Sequence, residues 1–249
     1  MTESISRRAE ATCRAGCRGD GAQNAAEAIR FQATRSSGEV SALLLRPPDA
    51  RWLFVFAHGA GAGMRHRFME AMAAALADHR IATFRYHFPY MERGRRRPDP
   101  HPILLTTVRS AIEAAAGAAG DLPMHAGGKS MGGRMTSLAA SEGGLDRVLG
   151  IAFFGFPLHA PGRPSTDRAD HLIRVPQPML FVQGSRDSLA DLELLRPVCE
   201  RLGDSATLHV VEGADHGFHV RKSSGRSDGE VIEELGRVSA EWAGQVAPK

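Results

Sequence analysis

Three residues of this 249-residue chain have the types and surroundings that nucleophilic catalysis requires. The segment Gly127-Gly128-Lys129-Ser130-Met131-Gly132-Gly133 contains a G-x-S-x-G pattern at Gly128, Ser130 and Gly132. A serine on a sharp strand-to-helix turn takes strained backbone angles, and small neighbours let strand and helix close in while the hydroxyl projects outward. That hydroxyl is a weak nucleophile until a base takes its proton, and the base needs an acid to orient it. His216, within Glu212-Gly213-Ala214-Asp215-His216-Gly217-Phe218, is the candidate base, and Asp187, closing Gln183-Gly184-Ser185-Arg186-Asp187, is the candidate acid. The competing residues fit less well: Asp191 and Asp204 fall inside or after the next helix, Asp215 adjoins His216, and His219 lies three residues beyond it.

Acyl transfer also needs donors for the negative oxygen of its tetrahedral intermediate. One is expected from the backbone amide of Met131, directly after the serine and at a helix start, where unpaired amides point outward. The other is expected from Ala60 in the loop His58-Gly59-Ala60-Gly61-Ala62-Gly63, whose glycines let an amide turn inward. His58 reads as a structural histidine bonded to loop backbone, and Lys129 as a solvated neighbour of the serine. Phe88, Tyr90, Phe156 and Leu158 follow strand ends, where lining an apolar acyl pocket and ordinary packing are equally good readings.

These loops need a frame. From Trp52 onward, continuous apolar runs alternate with amphipathic stretches, the pattern of parallel strands buried on both faces and covered by helices. Strands are expected at Trp52–Ala57, Ile81–Tyr86, Pro123–Ala126, Val148–Phe156, Pro178–Val182 and Ala206–Val211, and helices at His66–Asp78, Ile103–Ala116, Met131–Ser141, Leu189–Leu202 and Ser227–Trp242. Ahead of them Ile29–Leu45 reads as an antiparallel hairpin that turns at Ser36-Ser37-Gly38-Glu39 and stops at Pro47-Pro48. The expected fold class is α/β, a mostly parallel doubly wound sheet with an antiparallel N-terminal hairpin. Ligands bind such sheets beyond the carboxyl ends of the strands, which is where the candidate residues fall. The longest irregular stretches, Phe88–Pro102 and Pro157–Gln177, leave room for a minimal lid at most, so an open site is expected. Residues 1–27 mix Arg, Ala, Gly, Glu and Asp without apolar periodicity and are expected to form a flexible extension, with one domain over residues 28–249.

With 43% hydrophobic and 24% charged residues, fibrous, collagen-like and wholly disordered classes are excluded. Net charge is +3, from 31 basic against 28 acidic residues, too small a surplus for a phosphate-tracking surface, so no nucleic-acid partner is expected. Cys13, Cys17 and Cys199 cannot form an even disulfide framework, and Cys13 and Cys17 lack a second nearby Cys or His pair for zinc. Arg7-Arg8 is followed by polar residues where an export signal needs an apolar run. A cytoplasmic protein without membrane segment, acting on a small-molecule acyl substrate, is the expectation, and its oligomeric state is left open.

Taken together, His58–Gly63, Gly128–Gly133, Asp187 and Asp215–Phe218 resemble the α/β-hydrolase superfamily, in the group related to dienelactone hydrolases. More narrowly, Gly128–Arg134 and Phe154-Gly155-Phe156-Pro157-Leu158-His159 resemble bacterial relatives of testis-expressed protein 30 and of the third subunit of the nonspecific-lethal chromatin complex. The resemblance spans about residues 28–245. It implies the α/β-hydrolase fold, Ser130 as nucleophile, His216 as base, Asp187 as its partner, and the amides of Ala60 and Met131 as oxyanion hole. It also implies an acyl-enzyme route on an ester or related substrate with no metal or organic cofactor, and it implies no particular substrate.

Rival readings fare worse. A phosphate-binding P-loop ending at Gly128-Lys129-Ser130 needs a glycine five positions before Gly128, where Pro123 stands. A dinucleotide turn at Gly59–Gly63 needs glycine at Met64 or His66. The remaining alternative is a catalytically silent scaffold of the same fold that binds a partner or ligand, for which the basic loop Arg93, Arg95, Arg96 and Arg97 is either a docking surface or a solvated turn.

Overall fold

In the computed structural model, which describes residues 25–246, the apolar runs become eight strands and the amphipathic stretches helices. The order is β1 (Glu27–Thr34), β2 (Gly38–Leu45), β3 (Trp52–Ala57), α1 (Arg67–Asp78), β4 (Ile81–Tyr86), α2 (Pro89–Glu92), α3 (His101–Ala119), β5 (Met124–Lys129), α4 (Met131–Ser141), β6 (Val148–Phe154), β7 (Met179–Gly184), α5 (Leu192–Leu202), β8 (Ala206–Val211) and α6 (Asp228–Gln245). Cys13, Cys17, the Arg7-Arg8 pair and most of the expected extension lie outside the described residues.

One sheet runs β1-β2-β4-β3-β5-β6-β7-β8, antiparallel from β1 through β2 to β4 and parallel in every other pairing. This is the expected α/β arrangement. The period of two along each strand divides the core. Leu53, Val55, Ala57, Ile151, Phe153, Met179 and Phe181 face the layer of α3, α4 and α5. Trp52, Phe54, Phe56, Ala152, Phe154, Leu180 and Val182 face α1 and α6.

Helix starts follow local chemistry. His66 caps α1 by accepting from the amide of Phe68 at 3.3 Å, so this residue precedes the helix. Asp191 caps α5 in the same way at Glu193, which moves its start from the expected Leu189 to Leu192. Ser227 and Glu230 form a reciprocal capping box at α6.

Two departures bear on the site. Strand β5 continues through Gly127 and Gly128 to Lys129, because β3 and β6 pair with it on both sides and override the weak strand preference of glycine. Strand β6 ends at Phe154, because Gly155 turns the chain at φ +70°. The stretch Pro157–Gln177 forms short 3-10 turns at Asp167–Ala169 and Leu172–Arg174, the second packed against α4. Among the described residues no helix or strand is inserted as a lid, and no helix is long and apolar enough to cross a membrane.

Candidate active site

Ser130 occupies the single residue between β5 and α4 with φ 50° and ψ −117°, a left-handed conformation that costs a non-glycine residue about 1–3 kcal/mol. Its neighbours explain how the turn closes. A Cβ on Gly128 would lie 2.3 Å from the carbonyl oxygen of Ala57, and one on Gly132 would lie 2.5 Å from the same atom. Only glycine at both positions lets α4 start against the end of β3.

Asp187 follows β7 and His216 follows β8, and the sheet order brings both loops to Ser130. The Ser130 Oγ to His216 Nε2 distance is 2.9 Å, and His216 Nδ1 lies 2.7 Å from Asp187 Oδ2. A carboxylate can only accept, so Nδ1–H donates to Asp187, which leaves Nε2 of the neutral ring to accept the serine proton. The Asp187 side chain is fully buried and its other oxygen accepts from the amide of Leu189 at 2.8 Å. Gln183, for which sequence reading found no role, donates its Nε2 to Asp187 Oδ2, while its Oε1 accepts from the amide of Phe156 at 2.9 Å. The signal was a glutamine in a strand otherwise buried and apolar, where a polar side chain must find partners.

The other acids and histidines are accounted for elsewhere. Asp215 Oδ1 accepts from the amides of Gly217 and His219 at 2.8 and 3.0 Å, Asp204 lies in a 3-10 turn after α5, and His219 pairs with Asp228. His58 is fully buried, with Nδ1 donating to the carbonyl of Gly59 at 2.8 Å and Nε2 accepting from the amide of Phe88 at 3.2 Å. Burial lowers its pKa from 6.5 to about 4, which keeps it neutral and structural.

A cleft of about 400 Å³ opens above Ser130 and His216, and Ala60, His66, Arg67, Phe68, Met69 and Leu189 are among its walls. Ala60 therefore borders the same space as the serine, and Met131 is the first residue of α4. Among the described residues neither backbone amide is hydrogen-bonded to another protein group. Phe88, Tyr90, Phe156 and Leu158 are all fully buried in the core on the α3 and α4 side and none lines the cleft, where Phe68, Met69 and Leu189 supply apolar surface; the Tyr90 hydroxyl also accepts from the amide of Gly61 at 3.3 Å.

Lys129 is not the solvated neighbour expected. Its Nζ donates to the carbonyl oxygen of His216 at 2.5 Å and stands 5.7 Å from the ring centre of Phe68 and 5.3 Å from that of Phe218. Burial pushes its pKa from 10.5 down to about 8, against the opposing pull of Asp187 and Asp215. The basic loop, by contrast, is exposed at Arg93, Arg95, Arg96 and Arg97, with Arg93 paired to Asp99 at 3.2 Å.

Residues 50–244 match the family described as alpha/beta hydrolase domain, and the chain belongs to that family. Solved structures share the fold. The dienelactone hydrolase from Anabaena variabilis superposes with a TM-score of 0.71 at 19% identity, covering 90% of this chain and 98% of that one. An α/β serine hydrolase without lid from Xanthomonas campestris gives 0.68 at 18% identity, over 90% of this chain and 96% of the other. The esterase domain of a Rhodothermus marinus protein gives 0.67 at 17% identity, over 89% and 99%.

Proposed function

We propose that this protein is a serine hydrolase that cleaves an ester or related acyl substrate through a Ser130–His216–Asp187 triad. The observation that carries the reading is the continuous chain of hydrogen bonds from Ser130 Oγ through both ring nitrogens of His216 to buried Asp187, at the floor of an open cleft. In this mechanism His216 Nε2 takes the hydroxyl proton as Ser130 Oγ bonds to the acyl carbon. The amides of Ala60 and Met131 hold the resulting oxyanion, each worth about 3–4 kcal/mol in such sites. The imidazolium, steadied by Asp187, returns the proton to the leaving oxygen. Water, deprotonated by the same imidazole, then releases the acid and restores Ser130.

No step calls on a metal or organic cofactor. The cleft fits a small-molecule substrate, and a carboxylesterase or dienelactone-hydrolase-like activity suits its neighbours in fold best. The catalytic unit is assigned to the expected domain of residues 28–249, widened to Glu27 because that residue already pairs with Leu44 in β1, with a cytoplasmic setting and kinship to bacterial relatives of testis-expressed protein 30 and of the third subunit of the nonspecific-lethal chromatin complex. The test is hydrolysis of p-nitrophenyl acetate and butyrate by the full chain. Turnover that falls at least about 10³-fold in Ser130→Ala supports the reading. Turnover unchanged by that substitution, or none in folded protein, leaves the silent binding scaffold as the better description.

A further inference from the structure

We propose that Lys129 is a positioning residue, an ammonium clamp that fixes the backbone of the His216 loop and thereby the imidazole against Ser130. Its catalytic consequence rests on the serine-hydrolase reading, and its structural one does not. Lys129 is the last residue of β5 and directly precedes Ser130, so the nucleophile and the clamp are chain neighbours. The 2.5 Å bond from Nζ to the main-chain carbonyl of His216 ties that strand to the β8–α6 loop. Phe68 of α1 and Phe218 of the same loop stack at 5.6 Å and 16°, and Nζ lies within cation–π range of both rings. Space for this arrangement comes from Gly155. A Cβ there would be 3.0 Å from Lys129 Nζ and 3.3 Å from both Cε1 and Nδ1 of His216. The ammonium and the imidazole thus rest side by side on one missing side chain.

A hydrogen bond from a charged donor to a carbonyl is roughly twice as strong as a neutral one. The titratable and charged groups around Nζ are Asp187 after β7, Asp215 and His216 after β8, and, along the cleft, His66 and Arg67 at the start of α1. No carboxylate lies within salt-bridge distance of Lys129 among the described residues, so its protein partners are the His216 carbonyl and the two rings, beside the cleft that Lys129 also lines. Loss of the Lys129 proton above about pH 8 weakens the clamp.

Lys129→Met keeps the length without a donor, and Lys129→Gln keeps a neutral donor. With folding checked by circular dichroism, amide hydrogen exchange over residues 215–219 is expected to be at least tenfold faster in Lys129→Met and intermediate in Lys129→Gln. In the same proteins, kcat for p-nitrophenyl acetate and for mono-p-nitrophenyl succinate is expected to fall 10- to 100-fold alike, with KM within twofold. The wild-type decline in kcat/KM above about pH 8 is expected to be absent in Lys129→Met. Exchange as slow as in wild type overturns the clamp, and so does a loss confined to KM for the anionic ester, which would make Lys129 a substrate contact. If wild type hydrolyses neither ester, the serine-hydrolase reading fails and the exchange comparison still decides the clamp.

Discussion

Gln183 donates to the same carboxylate oxygen of Asp187 that receives the imidazole N–H of His216. The amide of Leu189 holds the other oxygen, so the carboxylate is fixed in its plane before the histidine engages it. Gln183 is itself locked by the amide of Phe156, which anchors Asp187 to the chain that leaves β6. Outer partners of this kind set the orientation that the reacting groups inherit.

Gln183→Leu removes the donor to Asp187 and leaves the Phe156 amide unpaired in the core. Hydrogen bonds to charged groups are worth about 1.5–3 kcal/mol, so kcat/KM for a p-nitrophenyl ester is expected to fall roughly 10- to 100-fold. Stability measured by urea denaturation should drop by a further ~1–3 kcal/mol from the orphaned amide. Unchanged kinetics would mean that Asp187 needs no second donor.

Asp187→Asn keeps the shape of the side chain but takes away the acceptor that fixes the Nδ1–H tautomer. The expected loss in kcat is on the order of 10⁴-fold, with little change in KM. Steady-state kinetics on the neutral ester reads this directly, and a loss under tenfold would remove Asp187 from the triad.

Gly132→Ala would place a methyl 2.5 Å from the carbonyl oxygen of Ala57 and 2.6 Å from that of His58. Neither backbone can yield without parting α4 from β3, so a destabilisation of about 1–3 kcal/mol or more is expected in chemical denaturation. The turn at Ser130 should open with it, and activity should fall by more than the folded fraction does.

Acid should destabilise the fold through its buried histidines. Burial lowers the pKa of His58, His125 and His171 from 6.5 to about 4, with Arg134 and Arg174 adding to the effect at His171. The unfolded chain therefore binds protons that the fold refuses. The stability these groups contribute is complete above pH 6.5 and is lost as pH falls from 6.5 through about 4. His125 packs on Trp242 with ring centres 5.5 Å apart, and neither of its ring nitrogens has a protein partner among the described residues. His125→Leu should thus flatten the melting-temperature profile between pH 6.5 and 4. A profile as steep as wild type would assign the acid sensitivity elsewhere.

Much of the frame was legible because buried parallel strands are written as apolar runs, and Trp52–Ala57 and Ile81–Tyr86 end where such runs end. The candidate triad was legible because loops after strand ends share one edge of the sheet. What escaped depended on tertiary context. Gly127-Gly128 reads as a breaker in isolation and is a strand only because β3 and β6 flank it. Helix α2 is only four residues long, held by Glu92 accepting from the amide and hydroxyl of Ser41 across 51 positions. Lys129 looked solvated because the rings that flank its ammonium, Phe68 and Phe218, lie 61 residues before and 89 residues after it.

Covalent labelling tests the central claim most directly. Intact-mass and peptide mass spectrometry of the full chain after treatment with a fluorophosphonate should show one adduct on Ser130, absent in Ser130→Ala and formed at least about 10²-fold more slowly in His216→Ala. A folded wild-type protein that takes no label, or takes it at a residue other than Ser130, would contradict a working Ser130–His216–Asp187 triad.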